Sequence, residues 1–410
     1  MLRFLAVFLL AFGFAGQALA DPESDYKRGF NAAERGDFQR AIAFYTSAIR
    51  QSPNFAAAYY ARGRAQSRLG DHFQALQNYL KTIALKPDAT NAYYARGNAY
   101  GHLGDDKRAI SDYSRTIVLK PDYDAAYYAR GNAFGRIGEH ARAVADFSKV
   151  IQHGWGVAAA YWARGDAFSR LGKHKQAIED YGKTIALDPA FSAAYFDRGN
   201  AYGRLGELER AIEDYTRIIH LKPDHYGAYF ARGNTFRVQG AYDAALNDMN
   251  AAIRLRPNHF QAYMARGYVF SLKKLYDRAI RDYSQSIRLK PDHFTIYINR
   301  GVAYRASKHL DLAHKDFQTA FSLKPEHPGA HYNLGLTYLE MRRFGSAIEA
   351  FNRTIQLQPK PLWFHYYRRG LAYEAQEDHA QAAEDFKTAY GLDPTHPGLQ
   401  AKMKALAPAP

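Results

Sequence analysis

Apolar side chains return at helical spacing through Thr90–Tyr123, and the same arrangement recurs thirty-four residues on. In the first half of this stretch Tyr93, Gly97 and Tyr100 fall at i, i+4 and i+7 on one stripe. In the second half Ala109, Tyr113 and Ile117 answer them. Between the halves, Gly104 stands where a helix ends in a left-handed residue. Asp105 and Asp106 follow, where side-chain acceptors and negative charge suit the free N–H groups of a helix start. Pro121 stops the second run. The pattern predicts two helices, one over Ala92–Leu103 and one reaching about Leu119. Glycine inside a helix costs roughly 1 kcal/mol against alanine, so the return of Gly97 in every unit predicts a close approach of two helices. The Ala109 column has the same reading, being alanine in every unit from Ala41 to Ala382.

The period holds along most of the chain. Tyr-Tyr-Ala-Arg-Gly-Asn-Ala begins at Tyr93 and again at Tyr127, with variants at Tyr59, Tyr161, Tyr195, Tyr229, Tyr263 and Tyr297. The closing proline keeps step from Pro53 to Pro359. A fixed period of this length marks a repeat array. Eleven units cover 22–55, 56–89, 90–123, 124–157, 158–191, 192–225, 226–259, 260–293, 294–327, 328–361 and 363–396.

An aromatic, a glycine, an aromatic, an alanine, an aromatic and a proline at these spacings resemble the tetratricopeptide repeat. The resemblance implies an all-α fold: antiparallel helix pairs stacked as a right-handed superhelical solenoid, with the first helices lining its inner surface. One departure is consistent. The leucine that the family places just before the glycine is arginine here, except at Leu334.

Outside the array, Met1–Ala20 combines Arg3, an apolar run from Phe4 to Phe14 and Ala18-Leu19-Ala20, the pattern of a cleavable signal peptide. The expected domain plan is therefore a signal peptide over 1–20, a solenoid over 21–396, and a capping helix with a frayed tail over 397–410. In that last part Leu399, Met403 and Leu406 share one face. The expected product is exported, periplasmic or secreted, without an integral membrane span. With no cysteine, disulfides and thiol chemistry are excluded. Repeat 1 is degenerate, with Asp25 and Ala32 in the aromatic positions. His153-Gly154-Trp155-Gly156 replaces the proline turn after repeat 4, and two readings stay open: a hinge with an exposed tryptophan, or a repacked turn with Trp155 on the core.

Two columns co-vary within the chain. Arg96 and Asp112 recur together, for example as Arg198 and Asp214, and repeat 10 lacks both, having Leu334 and Ala350, while repeats 1 and 2 keep the arginine with Phe44 and Asn78. Joint presence and absence predicts an ion pair locking each helix pair. Much of the net charge of +15 is then structural and forms no stripe for nucleic acid. His225, His259, His293, His327 and His396 share a turn column a full repeat apart, too far apart for metal ligands, so neither a metal nor another cofactor is expected.

A second stripe of the first helices carries the functional expectation. It reads Tyr94, Asn98; Tyr128, Asn132, Arg136; Trp162, Asp166, Arg170; Phe196, Asn200, Arg204; Phe230, Asn234. Asparagine both donates and accepts, as a peptide backbone does. Aromatics give contact area at low entropic cost, and arginines suit anions. Downstream the stripe becomes apolar, with Met264, Tyr268, Ile298, Val302, Tyr332 and Leu336, and the capping glycines give way to Lys274, Lys308 and Arg342. Such a groove calls for a partner helix, a second copy or the chain's own end. The family's lysine-and-asparagine clamp for C-terminal carboxylates is not matched. No GxSxG, phosphate loop or HExxH occurs. The expected activity is non-enzymatic: a scaffold binding a protein or peptide segment, acidic where it meets arginine. The alternative is a scaffold for an anionic polysaccharide in an envelope or secretion assembly.

Overall fold

The structure is a computed structural model that describes residues 21–406; the predicted signal peptide and the final four residues of the tail lie outside the described residues. Two compact units divide the chain after Ala201. The first contains the pairs α1 (Pro22–Glu34) with α2 (Phe38–Gln51), α3 (Ala56–Arg68) with α4 (His72–Leu85), α5 (Thr90–His102) with α6 (Asp106–Leu119), α7 (Asp124–Arg136) with α8 (His140–His153), and α9 (Val157–Arg170) with α10 (His174–Leu187), and the division falls inside the next helix, α11 (Ser192–Leu205). The second contains α12 (Leu208–Leu221), then α13 (Tyr226–Gln239) with α14 (Tyr242–Leu255), α15 (Phe260–Leu272) with α16 (Tyr276–Leu289), α17 (Phe294–Ala306) with α18 (Leu310–Leu323), α19 (Pro328–Glu340) with α20 (Phe344–Leu357), α21 (Trp363–Ala375) with α22 (His379–Leu392), and α23 (Pro397–Leu406). No described helix is long and apolar enough to cross a membrane.

Each pair is closed by its turn. Asp105 caps α6, its carboxylate accepting from the Arg108 backbone N–H, and Gly104 takes φ 78° before it. In the second unit Lys274, Lys308, Arg342 and Glu377 hold the same left-handed turn at φ 59°, 66°, 59° and 65°. At the turn after α8, Gly154 and Gly156 are both left-handed. Trp155 between them sets its ring edge-on to Tyr128 at 5.8 Å and leaves 45% of its surface in solvent, midway between the two readings of this turn.

The core is a file of glycine-on-aromatic contacts. A Cβ on Gly97 would stand 2.7 Å from Tyr113 Cε1, and one on Gly131 would stand 2.8 Å from Phe147 Cε1. That is the close approach expected from the returning mid-helix glycine. The fully buried partners differ in part from the sequence stripe. Ala92, Ala99 and Thr116 are buried, whereas Tyr93, Tyr100 and Ile117 are half-buried. The Thr116 hydroxyl is satisfied by the Asp112 carbonyl one turn back, so a polar residue fits this position.

The arginine and aspartate columns touch within single repeats. Nε and Nη2 of Arg96, Arg130, Arg164, Arg232, Arg266, Arg300 and Arg369 grip both oxygens of Asp112, Asp146, Asp180, Asp248, Asp282, Asp316 and Asp385 at 2.6 to 2.9 Å. The sequence reading missed a third arm. Nη1 of Arg130 donates to Ser114 Oγ of the preceding repeat at 3.0 Å, and Arg232, Arg266, Arg300 and Arg369 reach Thr216, Asn250, Ser284 and Asn352 in the same way. The guanidinium therefore joins neighbouring repeats as well as the two helices of one. A small polar residue sixteen positions before most of the arginines was the signal for it.

Repeat 1 replaces this device. The Asp25 carboxylate accepts from Ser47 Oγ at 2.6 Å, Gln51 Nε2 at 2.9 Å and Arg28. The Ser47 hydrogen bond, with those of Gln51 and Arg28, holds its pKa below the usual value. The stability Asp25 contributes is thus present above its unfolded pKa, about 3.9, and lost as pH falls below that toward the folded value. We expect the difference in melting temperature between the wild type and Asp25→Asn to shrink as the buffer is taken from pH 5 to pH 2.5. A difference constant over that range would contradict the assignment.

Candidate interaction groove

Within each unit successive first helices touch, α1 with α3, α3 with α5, α5 with α7 and α7 with α9 in the first, and α13 with α15 through to α21 in the second. Among the described residues second helices make no such approach to one another. The first-helix stripe therefore lies on the tighter side of each unit, and the geometry shows how each of its side chains is employed.

The aromatic column is partly spent on packing. Tyr94 lies against Tyr113 at 5.8 Å and Tyr123 at 5.1 Å, and Tyr128 against Phe147 at 5.6 Å. Trp162 packs on Phe191 at 5.8 Å and donates its indole N–H to Asp197 at 2.8 Å. Burial pushes the Asp197 carboxyl up, and the indole hydrogen bond pulls it the other way. Asp197 was not singled out from the sequence, although it is an acid in a column that reads Ala95, Ala129, Ala163 and Ala231 elsewhere. Phe196 and Asn200 lie on α11 and Phe230 on α13, where Phe230 stacks with Tyr226 at 5.9 Å.

The polar column is unevenly committed. Asn98 accepts from the Tyr113 hydroxyl at 2.8 Å, and Asn234 donates to the Phe230 carbonyl of its own helix at 3.1 Å. In repeat 4 the residue corresponding to Tyr113 is Phe147, which has no hydroxyl. Among the described residues nothing bonds the Asn132 carboxamide. The basic column is divided too. Arg136 is tied to Asp106 at 2.6 Å, whereas Arg170 stays largely exposed and stands 3.6 Å from Asp166. Arg204 is exposed.

These differences meet at one place. Between α7 and α9 a cleft of about 370 Å³ is lined by Asn132, Arg136, Phe147, Trp162, Asp166 and Arg170 among others. Gly135, which also lines it, has nothing within 4 Å of a notional Cβ. The sequence named five of those six side chains but not the missing hydroxyl at Phe147 that leaves Asn132 available.

The downstream apolar column is shallower than expected. Met264 packs into the core cluster of Tyr283, and Tyr332 and Leu336 into that of Phe351. Ile298 and Val302 are half-buried, and only Tyr268, at 41%, is exposed. The turn histidines sit at helix starts: His225 Nδ1 accepts from the Ala228 N–H at 3.0 Å, and His259 meets the Tyr226 ring at 4.6 Å. Helix α23 packs on α22 through Leu399, which is fully buried, with Lys402 paired to Glu374 at 2.5 Å.

Three solved structures illustrate the likeness. The MamA protein is 26% identical over 40% of this chain and 90% of its own, at a TM-score of 0.39. YrrB, described as a tetratricopeptide repeat protein with an unusual peptide-binding site, is 22% identical over 46% and 97%, at 0.41. The Cut9–Hcn1 hetero-tetramer of the APC/C is 14% identical over 94% and 90%, at 0.47. No curated protein is similar enough to be matched. Sequence patterns of the tetratricopeptide repeat match residues 23–54, 44–77, 94–158, 165–206, 196–258, 230–294, 294–327, 328–361 and 366–396. With its paired helices, its glycine-on-aromatic core and these matches along nearly all of the described residues, the chain belongs to the tetratricopeptide repeat family.

Proposed function

We propose that this chain is a non-enzymatic scaffold whose first-helix face, in the unit ending at Ala201, holds an extended segment of a partner protein. The observation that carries the reading is the uncommitted Asn132 carboxamide in the α7–α9 cleft, flanked by the weakly held Arg170. A carboxamide there pairs with a peptide group in either direction, and Arg170 meets a carboxylate beside it. The anionic-polysaccharide reading asks for open ring faces, and Tyr94, Tyr128 and Trp162 give much of theirs to neighbours. Export to the periplasm or beyond is part of the proposal, supported by the composition of Met1–Ala20.

The test is affinity capture from an envelope extract. Asn132→Ala/Arg170→Ala should recover partner at roughly tenfold lower yield, the loss of about one to two charge-assisted hydrogen bonds. Phe147→Tyr should weaken capture as well, because its hydroxyl restores the contact that Tyr113 makes to Asn98. Unchanged recovery with both variants folded would defeat the groove assignment.

A further inference from the structure

We propose that the first-helix edge of repeats 7 to 10, in the second unit, docks an acidic amphipathic helix of a partner protein. Its apolar part is exposed: Val238 at 61%, Tyr268 at 41%, Leu272 at 40% and Leu275 at 38%. The helices that carry or precede them, α13 and α15, touch, and the Arg237 guanidinium beside Val238 in sequence stands 5.3 Å over the Tyr268 ring. Exposed apolar side chains of this kind, spaced along neighbouring helices, fit the anchors a helix presents at i, i+3/i+4 and i+7.

The charged part is held against a conformational preference. In this unit Gly206 and Gly240 take the left-handed turn position, and in the next three repeats Lys274, Lys308 and Arg342 take it at φ 59°, 66° and 59°. An L side chain is disfavoured there, and strain that glycine would relieve is a mark of positions kept for another purpose. Lys274 and Arg342 are exposed, and among the described residues no acid lies within ion-pair distance of either. Lys308 meets Glu340 at 3.0 Å with 79% of its side chain still in solvent. The cations stop at repeat 11, where the position is Glu377.

The occupant follows from charge and from what is already committed. Helix α23 is seated on α22 and is not available to this edge. A second copy of a chain with net charge +15 is disfavoured by repulsion. A partner helix with leucines on one face and carboxylates on the other satisfies both the exposed apolar side chains and the unpaired cations. This surface is independent of the α7–α9 cleft and of the reading given to it.

The test uses the full chain and two labelled synthetic helices of about 18 residues, with identical leucine faces and either glutamate or lysine on the remaining positions. Fluorescence anisotropy should show binding of the glutamate peptide alone, weakening with salt. The variant Lys274→Gly/Lys308→Gly/Arg342→Gly should melt higher than the wild type, because glycine relaxes the turn, yet bind the glutamate peptide about tenfold more weakly. Leu272→Ser should weaken binding, and Asn132→Ala should leave it unchanged while still lowering partner capture at the first-unit cleft. Equal binding of the two peptides, no binding of either, or an unchanged affinity in the higher-melting triple variant would overturn the proposal.

Discussion

Replacing Asp146 with alanine is expected to cost about 3–5 kcal/mol, the loss that follows when one partner of a buried pair is removed. Asp146 and Arg130 keep only 7% and 19% of their side-chain surface exposed, and each guanidinium arm is used. Without the carboxylate, the Arg130 charge remains desolvated between α7 and α8. Arg130→Leu/Asp146→Ala should recover a large part of that loss, because repeat 10 packs with Leu334 and Ala350 at these positions. Native-state hydrogen exchange across α7 and α8 is the appropriate measurement, since in an array a repeat opens with its neighbours more readily than with the whole. The Ser114 contact adds a second expectation. The loss at Asp146 should spread into α6, because Arg130 also ties α7 to the repeat before it. A double variant no better protected than Asp146→Ala would remove the ion pair from the account.

Two glycines of one helix should respond with opposite signs. Gly131→Val places a Cβ within 2.8 Å of the Phe147 ring, and the branched side chain makes the conflict worse. Overpacking of this kind costs about 1–3 kcal/mol or more. Gly135, one turn later in α7, has open space at the same atom, so Gly135→Ala should gain about 1 kcal/mol from helix propensity alone. Chemical unfolding of the two variants is enough to tell. If both lowered stability, the glycine-on-aromatic seam would lose its steric explanation, and if both raised it the ring would have room to move aside.

The period, the turn residues and the glycine, alanine and aromatic columns were legible because each repeat must solve the same packing problem against its neighbours. Eleven parallel solutions printed in one chain expose what is required, and Arg96 with Asp112 could be paired because from repeat 3 onward each repeat has both or neither. The candidate groove was legible as a stripe, since helical spacing assigns Tyr128, Asn132 and Arg136 to one face. Its state was not. Whether Asn98 is spent on Tyr113, whether Arg136 is bound to Asp106, and whether Trp162 is held by Asp197 depend on atoms from other helices, 15 to 35 residues away in the chain.

Spacing along the chain therefore determined the helices, their pairing and the faces they share, because backbone geometry repeats every few residues and glycine, proline and charge act within a turn of where they stand. Only the tertiary structure decided which side chains on those faces remain free to bind. Hydrogen bonds and ring contacts between helices consume some members of each column and spare others, and one absent hydroxyl, at Phe147, distinguishes Asn132 from Asn98.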